Sequence, residues 1–211
     1  MKSTKLKEAK QRFFIDVAIE LFMDRSISEV TIKDIAAKAG VGEATIYRYF
    51  GKKESIVAAS VMGLQEIVEK DYFHLDEGKT GYEKLKCFYL SFLDLFIHRP
   101  LFYKFLKEFD AFMANQDPSA LDQYGSALDK YHSAFVEAYE IGLKDGTIEA
   151  QKDIETFYFA STHAVIELCK KLSSGQIVVS QDLNSNHVNE VRCLIDVILK
   201  SLKTPQSKAG K

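Results

Sequence analysis

The sequence predicts an all-α protein in two parts, an N-terminal three-helix domain built around a helix-turn-helix and a larger C-terminal helical domain. Three observations carry that expectation. In TIKDIAAKAGVGEATIYRYFGKKE, Thr31 to Glu54, two short amphipathic stretches flank a glycine turn. Over most of the remaining chain, apolar residues recur every three and four positions, the period of an amphipathic helix. The single run that reads as a short strand, Ile177 to Val179, has no evident partner to pair with.

At 211 residues and 46% hydrophobic, the chain can bury a substantial core in one or two domains. No run approaches the ~20 apolar residues of a membrane span. The opening MKSTKLKEAK is too polar for a secretory signal, so a cytoplasmic protein is expected. Cys87, Cys169 and Cys193 are odd in number, widely spaced and without CxxC spacing, which favours buried thiols over disulfides or a zinc site. No metal or cofactor is expected. The net charge of −2 conceals an asymmetry: residues 1–53 hold 11 Lys and Arg against 7 Asp and Glu, and the remainder 17 against 23. The positive charge thus lies where a nucleic acid would be met.

The first helix runs from about Lys5 to Asp24, with Phe13, Phe14, Val17, Ala18, Leu21 and Phe22 on one face. Ser28 to Val30 link it to Thr31, whose hydroxyl can take a backbone N–H near Asp34 and so cap the next helix. Ile32, Ile35, Ala36 and Ala39 share a face of that helix. Gly40 ends it, because a left-handed residue costs least there, and Val41 plugs the turn. From Gly42 a further helix carries Ile46 and Phe50 inward. Glu43, Thr45, Arg48 and Tyr49 face out, with Tyr47 near the boundary.

A plain packed hairpin would show the same periodicity, but the outward face has tyrosine and arginine donors rather than the usual Glu, Lys and Gln. Such donors suit phosphates. Lys52 and Lys53 sit at a helix start, where the dipole disfavours cations unless an anion is near. Two short helices in this order make a helix-turn-helix, whose second helix can enter the major groove.

From about Phe14 through Ile56 the sequence closely resembles the DNA-binding domain of TetR-type transcriptional regulators. The resemblance is carried by Tyr47, Arg48, Tyr49 and Phe50 followed by Lys53. It implies that Tyr47, Tyr49 and Lys53 contact phosphates and that Glu43, Ala44, Thr45 and Arg48 lie near base edges. Thr31, Lys33, Gly42 and Lys52 complete the candidate DNA-contacting set. Gly42 stands where a capping Ser is frequent in that family, and Ser26 where a Gly usually closes the first helix. The domains are therefore set at 1–53 for DNA binding, 54–203 for the helical part and 204–211 for a frayed tail.

A helix from Lys52 to about Tyr72 is long enough to join two domains, and Gly78 to Gly81 break it. An aromatic helix follows with Leu85, Phe88, Tyr89, Phe92 and Phe96. Pro100 suits the first turn of another with Phe102, Phe105, Phe109 and Phe112. A seventh helix from about Ser119 ends at Asp145 and Gly146. The last two span about Lys152 to Leu172 and Asn186 to Leu202. In the final helix Val188, Val191, Ile195, Ile198 and Leu202 form a stripe, widened by Leu194, Val197 and Leu199 beyond what one neighbouring helix covers.

In the resembling family the second domain dimerises and senses ligands. Seven Phe within 25 residues, Phe88 to Phe112, are awkward to pack without gaps, and gaps lined by rings are apolar ligand sites. The candidate pocket residues are Phe88, Tyr89, Phe92, Phe96, Phe105, Phe109, Tyr131, Phe135, Tyr158 and His163. Charges on the pocket helices mostly fall off the aromatic stripe, which points to an apolar or aromatic ligand, neutral or singly charged. No HExxH, GxSxG or glycine-rich phosphate loop accompanies the histidines, so catalysis is not expected. The expected protein is a homodimeric repressor, joined through its last two helices, that leaves a palindromic operator on binding its ligand. The alternative is a helical dimeric protein-interaction module without DNA binding.

Overall fold

The computed structural model describes residues 2–73, 79–114, 116, 121–174 and 186–204. Among them are nine helices: α1 (Lys2–Asp24), α2 (Ile32–Lys38), α3 (Glu43–Phe50), α4 (Lys53–Tyr72), α5 (Gly81–His98), α6 (Pro100–Met113), α7 (Asp122–Asp145), α8 (Ile154–Ser173) and α9 (His187–Leu202). The expected loop strand Ile177 to Val179, the Ser119 helix start and nearly all of the 204–211 tail lie outside the described residues. Thr204 itself donates its backbone N–H to the carbonyl of Thr147 at 3.2 Å.

The helix boundaries follow local chemistry. Thr31 caps α2 reciprocally: its hydroxyl accepts from the Asp34 backbone N–H, and the Asp34 carboxylate accepts from the Thr31 backbone N–H at 2.8 Å. Thr80 and Glu83 form the same box at α5, and Asp153 caps α8. Gly40 adopts the left-handed φ of 68° that stops α2, and Gly146 does so with 75° after α7.

By compactness the chain divides otherwise than at residue 53. One unit comprises Met1–Ile67 and Lys104–Ala127, the other Val68–Tyr103 and Leu128–Lys211. The reason lies in what the first unit needs to close its core. Ile56, Val57 and Val61 of α4 are fully buried together with Ile35 and Ile46. From α6, Phe105 meets Phe22 with ring centroids 6.3 Å apart, and the Glu108 carboxylate accepts the backbone N–H of Ile27 at 2.7 Å. The same unit leaves Phe13 half exposed, although periodicity placed it on the inward face of α1.

In the second unit α9 packs on α5 and α8. Its core holds Leu85, Phe88, Tyr89, Phe135, Val165, Val191 and Ile195, all fully buried. The start of α5 is pinned to the end of α7: Gly81 N–H donates to Asp145 at 2.8 Å and Tyr82 N–H to Thr147 at 3.2 Å.

Candidate DNA-binding surface and sensor core

On α3 the inward and outward faces separate cleanly. Ile46 and Phe50 are buried, whereas Gly42, Glu43, Ala44, Tyr47 and Arg48 are exposed and Thr45 and Tyr49 half-buried. Gly42 is the N-cap and offers no side-chain hydrogen bond, so the first backbone N–H groups of α3 stay open to a phosphate or water. Thr31, Lys33 and Lys52 are also exposed. Hydrogen bonds from the Thr31 side chain and backbone hold the Asp34 carboxyl below the usual range, so this carboxylate is already engaged.

Two residues of this set also hold contacts within the protein. The ring of Tyr49 is not free: it sits edge-on against Phe14, centroids 5.2 Å apart, with the Arg48 guanidinium 5.8 Å above it. Lys53 turns inward, donating to the carbonyl of Ser28 at 3.3 Å and lying 5.2 Å above the ring of Phe112. Partial burial lowers its pKa. Glu108 and Phe112, which organise this corner, carried no sequence signal: the first read as a charge off the aromatic stripe, the second as one more core ring.

The predicted pocket residues do not form one cluster. Phe88, Phe92, Tyr131, Phe135 and Tyr158 belong to the second unit and gather with Phe73, which meets Tyr131 at 4.6 Å and Phe92 at 5.2 Å, edge to face. Tyr89 adjoins Phe88 and Phe135. Its hydroxyl lies 2.7 Å from Ser161 Oγ, and since Ser161 directs its own proton at the carbonyl of Phe157, 2.6 Å away, Tyr89 is the donor. Burial raises the Tyr89 pKa, and that of Tyr158 to about 12, so both are neutral hydroxyls. Phe96 packs against Tyr103, whose hydroxyl donates to the carbonyl of Phe92 at 3.0 Å.

Phe105 and Phe109 instead complete the core of the first unit, stacking on each other, with Phe109 against Tyr124. His163 is exposed on α8 beside the half-exposed ring of Phe159, because its position on the helix points away from α5 and α9. The rings of the second unit touch one another rather than standing apart around a gap. An open groove of about 390 Å³ in that unit is lined by Tyr72, Cys87, Leu90, Asp94, Ile97 and Arg192 among others, and by none of the predicted pocket residues.

The stripe assigned to a partner is likewise used within the chain. Val191, Ile195 and Leu202 are completely buried, and Ile198 nearly so, because α9 is covered by α5 and α8. What α8 and α9 leave exposed is Phe159 at 51% and Val197 at 59%, with His163 and Cys193.

A compact helix-turn-helix presenting exposed tyrosine, arginine and lysine side chains, followed by a larger set of helices, defines a DNA-binding protein of the helix-turn-helix class. Residues 14–60 match the family of bacterial regulatory proteins known as the tetR family. That match gives residues 14–60 the DNA-binding domain of the TetR family of transcriptional regulators. It is 35% identical over 66 residues to the HTH-type transcriptional regulator SrpR of Pseudomonas putida, a match covering 31% of this chain and 30% of that one. Aligned segments span less than half the length of the curated relatives matched.

Solved structures extend the likeness of fold to the whole chain. A transcriptional regulator from Saccharomonospora viridis in complex with choline superposes with a TM-score of 0.73 at 19% identity, covering 94% of this chain and all of that one. The ketosteroid transcriptional regulator of Mycobacterium tuberculosis does so at 0.64 and 15%, covering 93% and 96%. No helix among the described residues is long and apolar enough to cross a membrane.

Proposed function

We propose that this protein is a sequence-specific DNA-binding repressor that acts as a cytoplasmic homodimer and leaves a palindromic operator when a small apolar ligand binds its second unit. The observation that carries the reading is the two-faced α3, with Ile46 and Phe50 buried and Glu43, Ala44, Tyr47 and Arg48 presented to the outside. Donors in such a row suit both phosphates and base edges. Two copies bind one operator when their recognition helices match major grooves about one turn, ~34–36 Å, apart.

For the ligand, the supporting feature is the cluster of Phe73, Phe88, Phe92, Tyr131, Phe135 and Tyr158, with Tyr89 and Ser161 as its polar pair. A ligand entering there must part rings that now touch. Helices α4 and α6 each run from one unit into the other, so a displacement at the rings would move the DNA-binding helices. For the dimer, the supporting feature is the apolar surface left on α8 and α9 by Phe159 and Val197.

Selection of duplexes from a randomised library by the purified protein, followed by gel-shift titration, tests the first part. The expected result is a two-fold symmetric site. Failure to bind any duplex at low salt would leave the helical interaction module as the better reading. A thermal-shift screen tests the second, with apolar aromatics and acyl compounds expected to rank above sugars, amino acids and nucleotides.

A further inference from the structure

Glu43 is the only carboxylate in α3, stands at its first position and is exposed. Several other acidic side chains of the same unit are engaged: Asp34 with Thr31, Glu20 with Lys38, and Asp16 and Glu66 with Arg12. The Glu43 side chain makes no ion pair or hydrogen bond with another described residue. A glutamate at a helix start favours the macrodipole, and that suffices for a free surface. On a surface that meets DNA it also repels every phosphate it approaches.

A base can reverse that repulsion in only a few ways. A carboxylate accepts hydrogen bonds and donates none, and the donors in the major groove are the amino groups of cytosine N4 and adenine N6. Beside adenine N6 stands N7, an acceptor that opposes the second carboxylate oxygen. Beside cytosine N4 stands only a C–H. Thymine and guanine offer acceptors alone to this side chain. Ala44, the exposed neighbour, is too small to hold the carboxylate off the groove floor.

Resting on the DNA-binding reading above, we propose that Glu43 is a specificity-determining residue that reads the N4 amino group of one cytosine in each half-site, while its charge keeps the protein off sequences lacking it. Attraction and repulsion act together: the carboxylate strengthens one base pair and weakens all the rest.

The test compares full-length wild type, Glu43→Ala and Glu43→Gln in duplex selection, then in titrations on the wild-type site and on an unrelated duplex at fixed salt. Wild type should select one invariant cytosine per half-site that Glu43→Ala no longer requires. Glu43→Ala should bind the wild-type site ~5–150-fold more weakly, the range of one good base contact, yet bind the unrelated duplex more tightly. Glu43→Gln should prefer adenine at that position, since an amide pairs with N6 and N7 together. Equal weakening on both duplexes, as a poorer helix start would cause, overturns the proposal, and so does selection of unchanged sites by Glu43→Ala. If wild type binds no duplex, the DNA-binding reading falls and this proposal with it.

Discussion

The ammonium of Lys53 lies 5.2 Å above the ring of Phe112 and donates to the carbonyl of Ser28, so the first residue of α4 is held by the end of α6 and the α1–α2 corner. Glu108, one turn earlier on α6, fastens the same corner through the backbone N–H of Ile27. A lysine so held must leave its ring before it can reach a phosphate. A cation–π contact of this kind contributes about 0.5–1 kcal/mol. Phe112→Leu, which keeps apolar bulk but removes the ring, should therefore tighten binding to all duplexes by up to ~5-fold. Lys53→Ala should weaken binding to all of them and reduce the salt dependence by about one unit of slope. Gel shifts at two salt concentrations decide. No change in either variant would make Lys53 a structural residue only.

The Arg48 guanidinium lies over the ring of Tyr49, which is itself held edge-on by Phe14. A side chain braced in this way loses less freedom when it pairs with guanine. Arg48→Ala should cost ~1–3 kcal/mol of discrimination against the wrong base. Tyr49→Phe preserves these ring contacts and removes only a hydroxyl, so it should weaken cognate and scrambled duplexes alike. Titrations on both duplexes separate the two outcomes, and equal loss of specificity in the two variants would contradict the assignment.

Association through α8 and α9 must use what those helices leave outside. Phe159→Asp and Val197→Asp place charge on half-exposed positions and should yield a folded monomer by light scattering and circular dichroism. Val191→Asp buries a carboxylate in a site with no accessible surface and should unfold the protomer instead. A well-folded dimer in both surface variants would place the interface elsewhere.

Close backbone approach, rather than turn conformation, explains two glycines of the second unit. A Cβ on Gly81 would lie 2.0 Å from the backbone nitrogen of Gly142, and one on Gly142 would lie 2.2 Å from Ile148 Cδ1. Gly81→Ala should destabilise by about 3 kcal/mol or more, since the obstructing atom is backbone and cannot rotate away. Gly125→Ala, in α7 with nothing within 4 Å of the new atom, should stabilise by ~0.5–1 kcal/mol. Urea denaturation of the two variants checks the opposite signs.

The amino-acid sequence by itself determined the helices, their caps and the helix-turn-helix, because these depend on interactions within a few residues. Thr31 finds Asp34 three positions on, Gly40 answers a local demand for positive φ, and Ile46 and Phe50 share a face by periodicity alone. Only the tertiary structure decided which apolar stripe meets which neighbour. Val191 and Ile195 read the same whether covered by α5 and α8 or by another copy. Phe105 and Phe109 read the same whether they line a pocket or close the core beneath α1. Lys53 carries the charge of a phosphate ligand, yet Ser28 and Phe112, distant in sequence, determine where that charge points. Periodicity specifies that a face is apolar; long-range packing specifies what covers it.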